Sequence, residues 1–490
     1  VIAALLATGC DVVPIGVAMT PTLAVAVDTT SLCGGGIMVT ASHNPAEWNG
    51  LKVLIPGEPN PHDATTDPDG NWSRWYGTER AAAPEVELAK QIIHEFREGR
   101  FPYQDSIRCG RVEPYRSDLH DDATDAHRWS VAMAVDSVLR HEYEDRDHPR
   151  ALKYVARMDS HILKWRVVLD SVNASGGPAA EKLIRSFYAD AIQLHGDNSG
   201  IFPHTPEPTA ENLSGEGGLC DAVPGLKADV GFAQDPDGDR LAIVDETGRY
   251  IGEEYTLALC AVSILEAHKA APQRAGELSP KVTEGARDAE SPSASLRSAP
   301  PAHAGEGTDI VVCANLSTSR MIDDIAARYG ASVVRTAVGE ANVVEAMKRL
   351  KREGKTVLLG GEGNGGVIWP EVTYVRDSLG SMALVLSLMA RTGKTVSELV
   401  ADIPSYAIVK RKQPLAKKED AKPAIERIAA AYATERVDTQ DGVRVDFDAK
   451  RAWVHVRASN TEPILRLIAE AEDEAVANEI LDDVAKLVEG

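Results

Sequence analysis

Residues 231–245 read "GFAQDPDGDRLAIVD", an acidic turn set between two apolar runs. Asp235, Asp237 and Asp239 alternate, so a tight loop converges three carboxylates on one hard cation such as Mg²⁺. Arg240 follows and can hold an anion beside that cation. An EF-hand loop is a competing reading, because Glu246 falls at its twelfth position. However, Arg240 stands where the sixth position needs glycine, and "LAIV" runs on as a strand. A solvated acidic turn is the other alternative. The flanking apolar runs instead place the loop at a sheet edge, where α/β proteins bind ligands. A similar stretch at Asp67–Asn71, "DPDGN", lacks the third Asp and the flanking strands and reads as a turn.

Outward from this loop, β-rich runs alternate with helical ones. "WRVVLDSV", "ADVGFAQD", "DIVVCANL" and "KTVLLGGE" are short strands, each near a helical run such as "PAAEKLIRSFYA", "SRMIDDIAARYG" or "NVVEAMKRLKREG". This is the pattern of βα units around largely parallel sheets. "VIAALLATG" reads as a helix ending at Gly9 and "DVVPIGV" as a strand after it. The last part differs: strands "DGVRVDF" and "AWVHVRAS" lead to the helix "DEAVANEILDDVAKLVEG", a small α+β domain. Residues 272–308 hold no aromatic residue and are rich in Pro, Ser, Ala and Gly, so an inserted segment without ordered structure is expected. Residues 56–80 read as a loop that Trp72, Trp75 and Tyr76 could dock.

The bulk properties narrow the function. The 490 residues suggest roughly three or four domains. A net charge of -22 argues against a nucleic-acid binder, because phosphate backbones demand basic surface. An anionic ligand would need a local basic pocket. Cys10, Cys33, Cys109, Cys220, Cys260 and Cys313 are scattered and form no CxxC, which fits a reducing, cytoplasmic home. No apolar run is long enough for a bilayer, so no membrane is expected.

Three further stretches carry chemistry. In "GGGIMVTASHNPAEWNGLKV", Gly34–Val53, three glycines precede a strand, and Pro45 can open a helix. Ser42 would then lie in a strand-to-helix loop whose N–H groups stabilise a dianionic phosphate. Its adjacency to His43 does not make a hydrolase pair, since neighbouring residues rarely aim at each other. The alternative is that Ser42 only caps the helix, and this stretch alone leaves both open. In "LLGGEGNGGVIWP", dense glycines follow a strand without the Lys-Ser/Thr of a nucleotide loop. Glu362 and Asn364 could bond vicinal hydroxyls there, although a plain glycine turn would read the same. In "RASNTEPILR", Arg457, Ser459, Asn460, Thr461 and Arg466 offer guanidinium forks, hydroxyls and loop N–H groups suited to a phosphate monoester. A surface turn with a helix cap is the alternative. Together these parts supply positioning and charge neutralisation, the needs of phosphoryl transfer.

The chain resembles the α-D-phosphohexomutase family. "TASHNP" is similar to its phosphoserine loop, "DPDGDR" to its metal loop, "GEGNGG" to its sugar loop and "RASNTEP" to its phosphate loop, in the family's order. "VLDSVNASGG", "FPHTPEPTAENL" and "GEEYTL" resemble further family segments. The resemblance implies an α/β protein of four domains: three similar α/β/α domains, at 1–118, 119–271 and, after the 272–308 insert, 309–400, then an α+β domain with an antiparallel sheet at 401–490. It implies that Ser42 is phosphorylated and exchanges its phosphate with a hexose or hexosamine monophosphate through a sugar 1,6-bisphosphate. Mg²⁺ would be held by Asp235, Asp237, Asp239 and a phosphoserine oxygen. Lys52, or second to it His43, would assist proton transfer beside Arg240. Glu362 and Asn364 would hold sugar hydroxyls. Arg457, Ser459, Asn460, Thr461 and Arg466 would hold the phosphate that does not react.

The chain departs from the family at three points. It starts at Val1 in mid-pattern, without the family's Gly-Thr-Asp-Gly and Arg-Asp loops, so the first domain is expected to be incomplete at its N-terminus. Asn364 and Gly366 stand where the common sugar loop has Ser and His. Asn460 stands where Gly is usual, a mild change because Asn tolerates a left-handed backbone. The "GGEGNGGVIWPE…RD" arrangement resembles the glucosamine-phosphate branch of the family. A mannose- or glucose-phosphate mutase is the alternative, and a non-catalytic sugar-phosphate binder is the alternative of another class. A monomer or homodimer is expected.

Overall fold

The computed structural model describes residues 1–30, 33–44, 48–57, 80–99, 101, 103–104, 108–117, 120–140, 165–276, 309–459 and 462–489. In chain order the elements begin with α1 (Ile2–Ala7), α2 (Thr20–Thr29), β1 (Gly36–Val39), β2 (Leu51–Leu54), α3 (Val86–Glu98) and α4 (Ala123–Arg140). Next come β3 (Arg166–Asp170), α5 (Gly177–Ser186), β4 (Asp190–His195), α6 (Ala210–Leu213), α7 (Leu219–Gly225), β5 (Val230–Gln234), β6 (Leu241–Asp245) and α8 (Glu253–Gly276). Then follow β7 (Ile310–Asn315), α9 (Met321–Tyr329), β8 (Ser332–Thr336), α10 (Glu340–Arg352), β9 (Thr356–Glu362), β10 (Gly366–Ile368), α11 (Ser378–Thr392) and α12 (Val396–Ala401). The last are β11 (Ala407–Pro414), α13 (Ala421–Ala431), β12 (Arg436–Asp438), β13 (Val443–Phe447), β14 (Ala452–Ala458), β15 (Ile464–Ala471) and α14 (Glu474–Glu489).

The chain forms two compact units, Val1–Asp288 with Gly365–Val400, and Ala289–Asn364 with Ala401–Gly490. In the first, β4-β3-β5-β6 make one sheet. β3 runs parallel to β4 and β5, while β6 turns back antiparallel to β5. The expected parallel sheet therefore carries one antiparallel edge, because the Asp235–Arg240 connection is a tight turn too short for a crossover. Every residue of β5 and β6 is buried. Val168, Ala233, Ala242 and Val244 pack with Leu219 and Val223 of α7. Val167, Leu169, Phe232 and Ile243 alternate with them on the opposite face and are equally buried. Helix α11 is apolar all round, and its residues 378–389 are all buried, packed against α4 and α8. Its N-terminus is capped by Asp377, which accepts from the amides of Leu379 and Gly380 at 2.9 and 3.0 Å.

In the second unit, β7 pairs in parallel with β8 and β9. β11-β15-β14-β13-β12 form an antiparallel sheet, with α13 and α14 packed on it around Val445, Val454, Leu467 and Leu481.

Two local expectations change. "DVVPIGV" forms no strand: only Val12 makes a bridge, to Val112, since Pro14 lacks an amide and Gly16 takes φ +76°. Helix α8 continues to Gly276, so the segment from Pro272 opens as the end of a helix, and residues 277–308 lie outside the described residues. The 67–71 turn, Trp72, Trp75 and Tyr76 also lie outside them.

Candidate active site

The carboxylate loop forms as the sequence predicts. Asp235, Asp237 and Asp239 are all buried, with oxygens within 4.8 Å of one another. The turn closes through Gly238, whose φ is +66° and whose amide donates to the Asp235 carbonyl at 3.0 Å. A Cβ at Gly238 would lie 2.5 Å from Met19 Cε, so both the conformation and the space demand glycine. The Arg240 amide donates to Asp235 Oδ1 at 3.0 Å. Glu246 accepts from the Ser397 hydroxyl and amide, not from the loop, in keeping with the rejection of an EF-hand.

Three buried acids at this spacing need compensating charge. Lys52, on β2, donates to Asp237 Oδ2 and Asp239 Oδ2, the latter at 3.0 Å. Arg376, just before α11, donates to Asp239 Oδ2 at 2.7 Å. Thr20, at the start of α2, donates to Asp237 Oδ2 at 2.8 Å. Burial, opposed and outweighed by Arg376, Lys52 and Arg240, leaves the Asp239 carboxyl well below the usual carboxylate range. Asp235 goes the other way: burial and then the charges of Asp239 and Asp237 push it well above that range. Asp237 Oδ1 and Asp239 Oδ1 are buried without a hydrogen-bond partner. Two such oxygens beside a third carboxylate match the hard, all-oxygen coordination that Mg²⁺ requires, so the residues present fit the ion.

Ser42 stands over this loop. Its Oγ is 3.5 Å from Asp235 Oδ2 and 3.2 Å from His43 Nδ1. The expectation that Ser42 and His43 do not aim at each other fails. Ser42 adopts φ +53°, and its amide donates to Thr40 Oγ1 at 2.8 Å, which turns the two side chains together. The helix expected at Pro45 is not found among the described residues: Ser42–Asn44 turn, 45–47 lie outside the description, and β2 begins at Leu51. β1 and β2 instead form an antiparallel hairpin that sets Lys52 opposite Met38. Burial and then Arg240 lower the His43 pKa, against the raising effects of Glu207, Asp239 and Asp237. Arg240 is 3.8 Å from Glu207.

The second unit carries the polar groups expected to bind a sugar and its phosphate. Glu362 ends β9 and is almost fully buried. Its Oε1 accepts from Asn315 Nδ2 at 2.8 Å and the Gly339 amide at 3.1 Å, and its Oε2 faces Asn364 Nδ2 at 3.5 Å. At the ends of β14 and β15, Arg457 is directly opposite Arg466, and Lys412 of β11 is opposite Arg466 on its other side. Three cations thus share one face of three neighbouring strands, an arrangement that costs stability unless an anion joins them. Arg457 Nε is buried without a hydrogen-bond partner. Ser459 is buried. Its amide donates to the Ile464 carbonyl at 3.0 Å and its Oγ accepts from the Glu462 amide at 3.3 Å, which closes the loop. Asn460 and Thr461 lie outside the described residues.

Sequence reasoning missed Arg376, Thr20 and Lys412. The "RD" ahead of α11 was the one legible trace of Arg376. Thr20 and Lys412 left no signal, because only long-range pairing sets them beside their partners.

All four domain models of the phosphoglucomutase/phosphomannomutase family match the chain. Alpha/beta/alpha domain I matches residues 1–67, domain II 150–248 and domain III 298–406, and the C-terminal domain matches 409–487. A phosphoglucomutase/phosphomannomutase from Thermococcus kodakarensis is 31% identical over 100% of this chain and 86% of its own length. A probable phosphoglucosamine mutase from Methanopyrus kandleri is 32% identical with the same coverage, 100% and 86%. The structure of a phosphoglucomutase/phosphomannomutase family protein from Burkholderia thailandensis shares the fold, with TM-score 0.66 and 22% identity over 99% of this chain and 84% of that one. The chain belongs to the phosphoglucomutase/phosphomannomutase family. It is a phosphohexose mutase, an isomerase built of three α/β/α domains and a C-terminal domain. The two compact units divide this plan within domain III, between Asn364 and Gly365 and again between Val400 and Ala401. No helix among the described residues is long and apolar enough to cross a membrane.

Proposed function

We propose that this mutase interconverts the 6- and 1-phosphates of glucosamine through a phosphoserine at Ser42 and a sugar 1,6-bisphosphate. The observation that carries the reading is the placement of Ser42 Oγ, 3.5 Å from Asp235 in the carboxylate loop and 3.2 Å from His43. In the forward half, the phosphorus–oxygen bond to Ser42 breaks as a bond forms to the free sugar hydroxyl oxygen. The hydroxyl proton passes to a base, the departing Ser42 oxygen takes up one proton, and the second half runs in reverse to return the other phosphoryl group to Ser42. Lys52 was the first expectation for that base. Its hydrogens are directed at Asp237 and Asp239, so we assign the proton to His43, the ring bonded to Ser42 Oγ and held toward its neutral form. Lys52 and Arg240 supply positive charge at the phosphoryl group. Bound at Asp235, Asp237 and Asp239, Mg²⁺ would add charge neutralisation there.

Glu362 supports the amino sugar. A carboxylate fixed by Asn315 and Gly339 gains the attraction of opposite charges with an ammonium group, which a neutral hydroxyl does not offer. Arg457, Arg466 and Ser459, with Asn460 and Thr461, would hold the phosphate that does not react. A cytoplasmic monomer or homodimer that binds neither nucleic acid nor membrane suits this role. Competition kinetics with glucosamine, mannose and glucose 6-phosphates test the substrate. A higher kcat/KM for either neutral sugar overturns the glucosamine assignment. Mass spectrometry that finds no phosphate on Ser42, with no turnover under a bisphosphate primer, would leave a non-catalytic binder.

A further inference from the structure

A second cluster of ligating groups lies at the C-terminal ends of β3 and β4. Asp170 is the last residue of β3, His195 is the last of β4, and the two are register partners across a parallel pair. The loop after β4 returns His204 to the same place. His204 Nε2 is 3.0 Å and His195 Nδ1 is 3.1 Å from one oxygen, Oδ2 of Asp170. The two rings are edge to face with centroids 5.6 Å apart. Asp170 is buried, while the imidazoles keep 27% and 22% exposure, enough for a solute to enter.

The hydrogen count in this cluster closes only with an added positive charge. His204 Nδ1 lies 2.9 Å from the Thr205 carbonyl, which only accepts, so that nitrogen carries a hydrogen. The neutral ring then presents a lone pair at Nε2, aimed at a carboxylate oxygen. His195 Nδ1 is buried beside the same oxygen and makes no hydrogen bond. Either His204 holds two protons next to a second imidazole, or a cation sits where the three atoms converge. Geometry and chemistry favour the cation. The three ligand atoms lie within 4.8 Å of one another. Ligands about 2.0 Å from a tetrahedral ion are separated by about 3.3 Å, close to the two spacings of 3.0 and 3.1 Å from the histidine nitrogens to Asp170 Oδ2. A ring whose far nitrogen donates to a backbone carbonyl is the usual support of a metal-bound histidine.

We propose that Asp170, His195 and His204 bind one borderline divalent cation of the zinc class, Zn²⁺, Co²⁺ or Ni²⁺. The site is distinct from the Asp235–Asp237–Asp239 loop. Two imidazoles with one carboxylate select such ions, whereas three carboxylates select Mg²⁺. The bound ion fastens the 196–209 loop to the sheet. That loop also carries Glu207, the carboxylate facing Arg240 at 3.8 Å. The role is therefore structural, holding one wall of the Ser42 site.

The test uses the untagged full chain, stripped with a chelator and kept in millimolar Mg²⁺ so that the carboxylate loop is filled. Equilibrium dialysis against Co²⁺ should retain one ion per chain, with the visible absorption of nitrogen-ligated Co²⁺ at low coordination number. His195→Gln and His204→Gln should each weaken retention at least about 10-fold, as loss of a ligand demands. Asp237→Asn should leave it unchanged. Circular dichroism confirms folding of each variant, and if His204→Gln is unfolded the half-exposed His195→Gln decides. No Co²⁺ retained by the parent chain, or retention unchanged in a folded histidine variant, overturns the site.

Discussion

The carboxylate loop and the arginine loop handle charge in opposite ways. Around Asp235, Asp237 and Asp239 the protein supplies its own countercharges, Lys52 and Arg376, and buries the three carboxylates and Arg376 while Lys52 stays partly exposed. Around Arg457 and Arg466 it supplies little among the described residues: Asp441 is 3.8 Å from Arg457, and Lys412 adds a further cation. The first arrangement is prebuilt and integral to the fold. The second remains short of negative charge until an anion arrives. Substitutions at the acidic loop should therefore cost stability as well as turnover, and those at the basic loop should cost binding alone.

The largest effect expected lies at Ser42, which belongs to neither set of charges. Ser42→Ala should lower turnover roughly 10⁴-fold or more, since nothing replaces the nucleophile. Its melting temperature should hold, because Ser42 makes only local hydrogen bonds and one 3.5 Å contact. Residual activity near the parent level would remove Ser42 from the chemistry. Next comes Arg376→Ala, which strips a buried countercharge from Asp239. A loss of about 3 kcal/mol in denaturant unfolding is expected, with turnover falling too. A stable, active variant would break the idea that the acidic loop is integral to the fold. At the same loop, Asp237→Asn should weaken Mg²⁺ binding measured by calorimetry, while Asp69→Asn, in the similar 67–71 stretch, should change nothing.

A pH effect sharpens the comparison from within the second unit. His455 donates from Nε2 to the Asp441 carbonyl and accepts at Nδ1 from the Ser317 hydroxyl, so it is folded in as a neutral ring. Burial, with Arg444 and Arg457 adding to it, lowers its pKa from 6.5 to about 4. The unfolded chain then binds the extra proton first. The stability His455 contributes is complete above pH 6.5 and drains away as pH falls toward 4. The loss amounts to at most about 3 kcal/mol. Unfolding measured across that range should flatten in His455→Gln, and an unchanged slope would assign the loss to other groups. Arg457→Ala should raise KM about 10- to 100-fold with little change in melting temperature, the loss of one charge-assisted phosphate contact. The smallest effect is expected from replacing residues 280–305 by a short Gly/Ser linker. Their composition offers little apolar surface to lose, and activity and melting temperature should barely move.

Much of the plan was legible because it is local. Alternating carboxylates next to a strand announce a cation loop, and β5 and β6 appear where apolar runs predicted them. The C-terminal sheet and its last helix follow the period-2 and period-3.6 patterns of their residues. The Ser42 stretch was read less well. A helix is expected after it, whereas the described residues turn at a left-handed serine and β1 pairs antiparallel with β2. Hydrogen bonding to Thr40 and the approach to Asp235 decide that conformation, and neither is encoded in propensity.

The sequence by itself determined which residue types could do phosphoryl chemistry and in what order they occur along the chain, since motifs are contiguous and their backbone needs are short-range. Only the tertiary structure decided who compensates whom. Lys52 meets Asp237 across 185 residues, Thr20 meets the same carboxylate across 217, and Arg376 meets Asp239 across 137. Asp170, His195 and His204 become neighbours only when two parallel strands end side by side. Electrostatic partnership depends on distance in space and on burial, and a linear pattern carries neither.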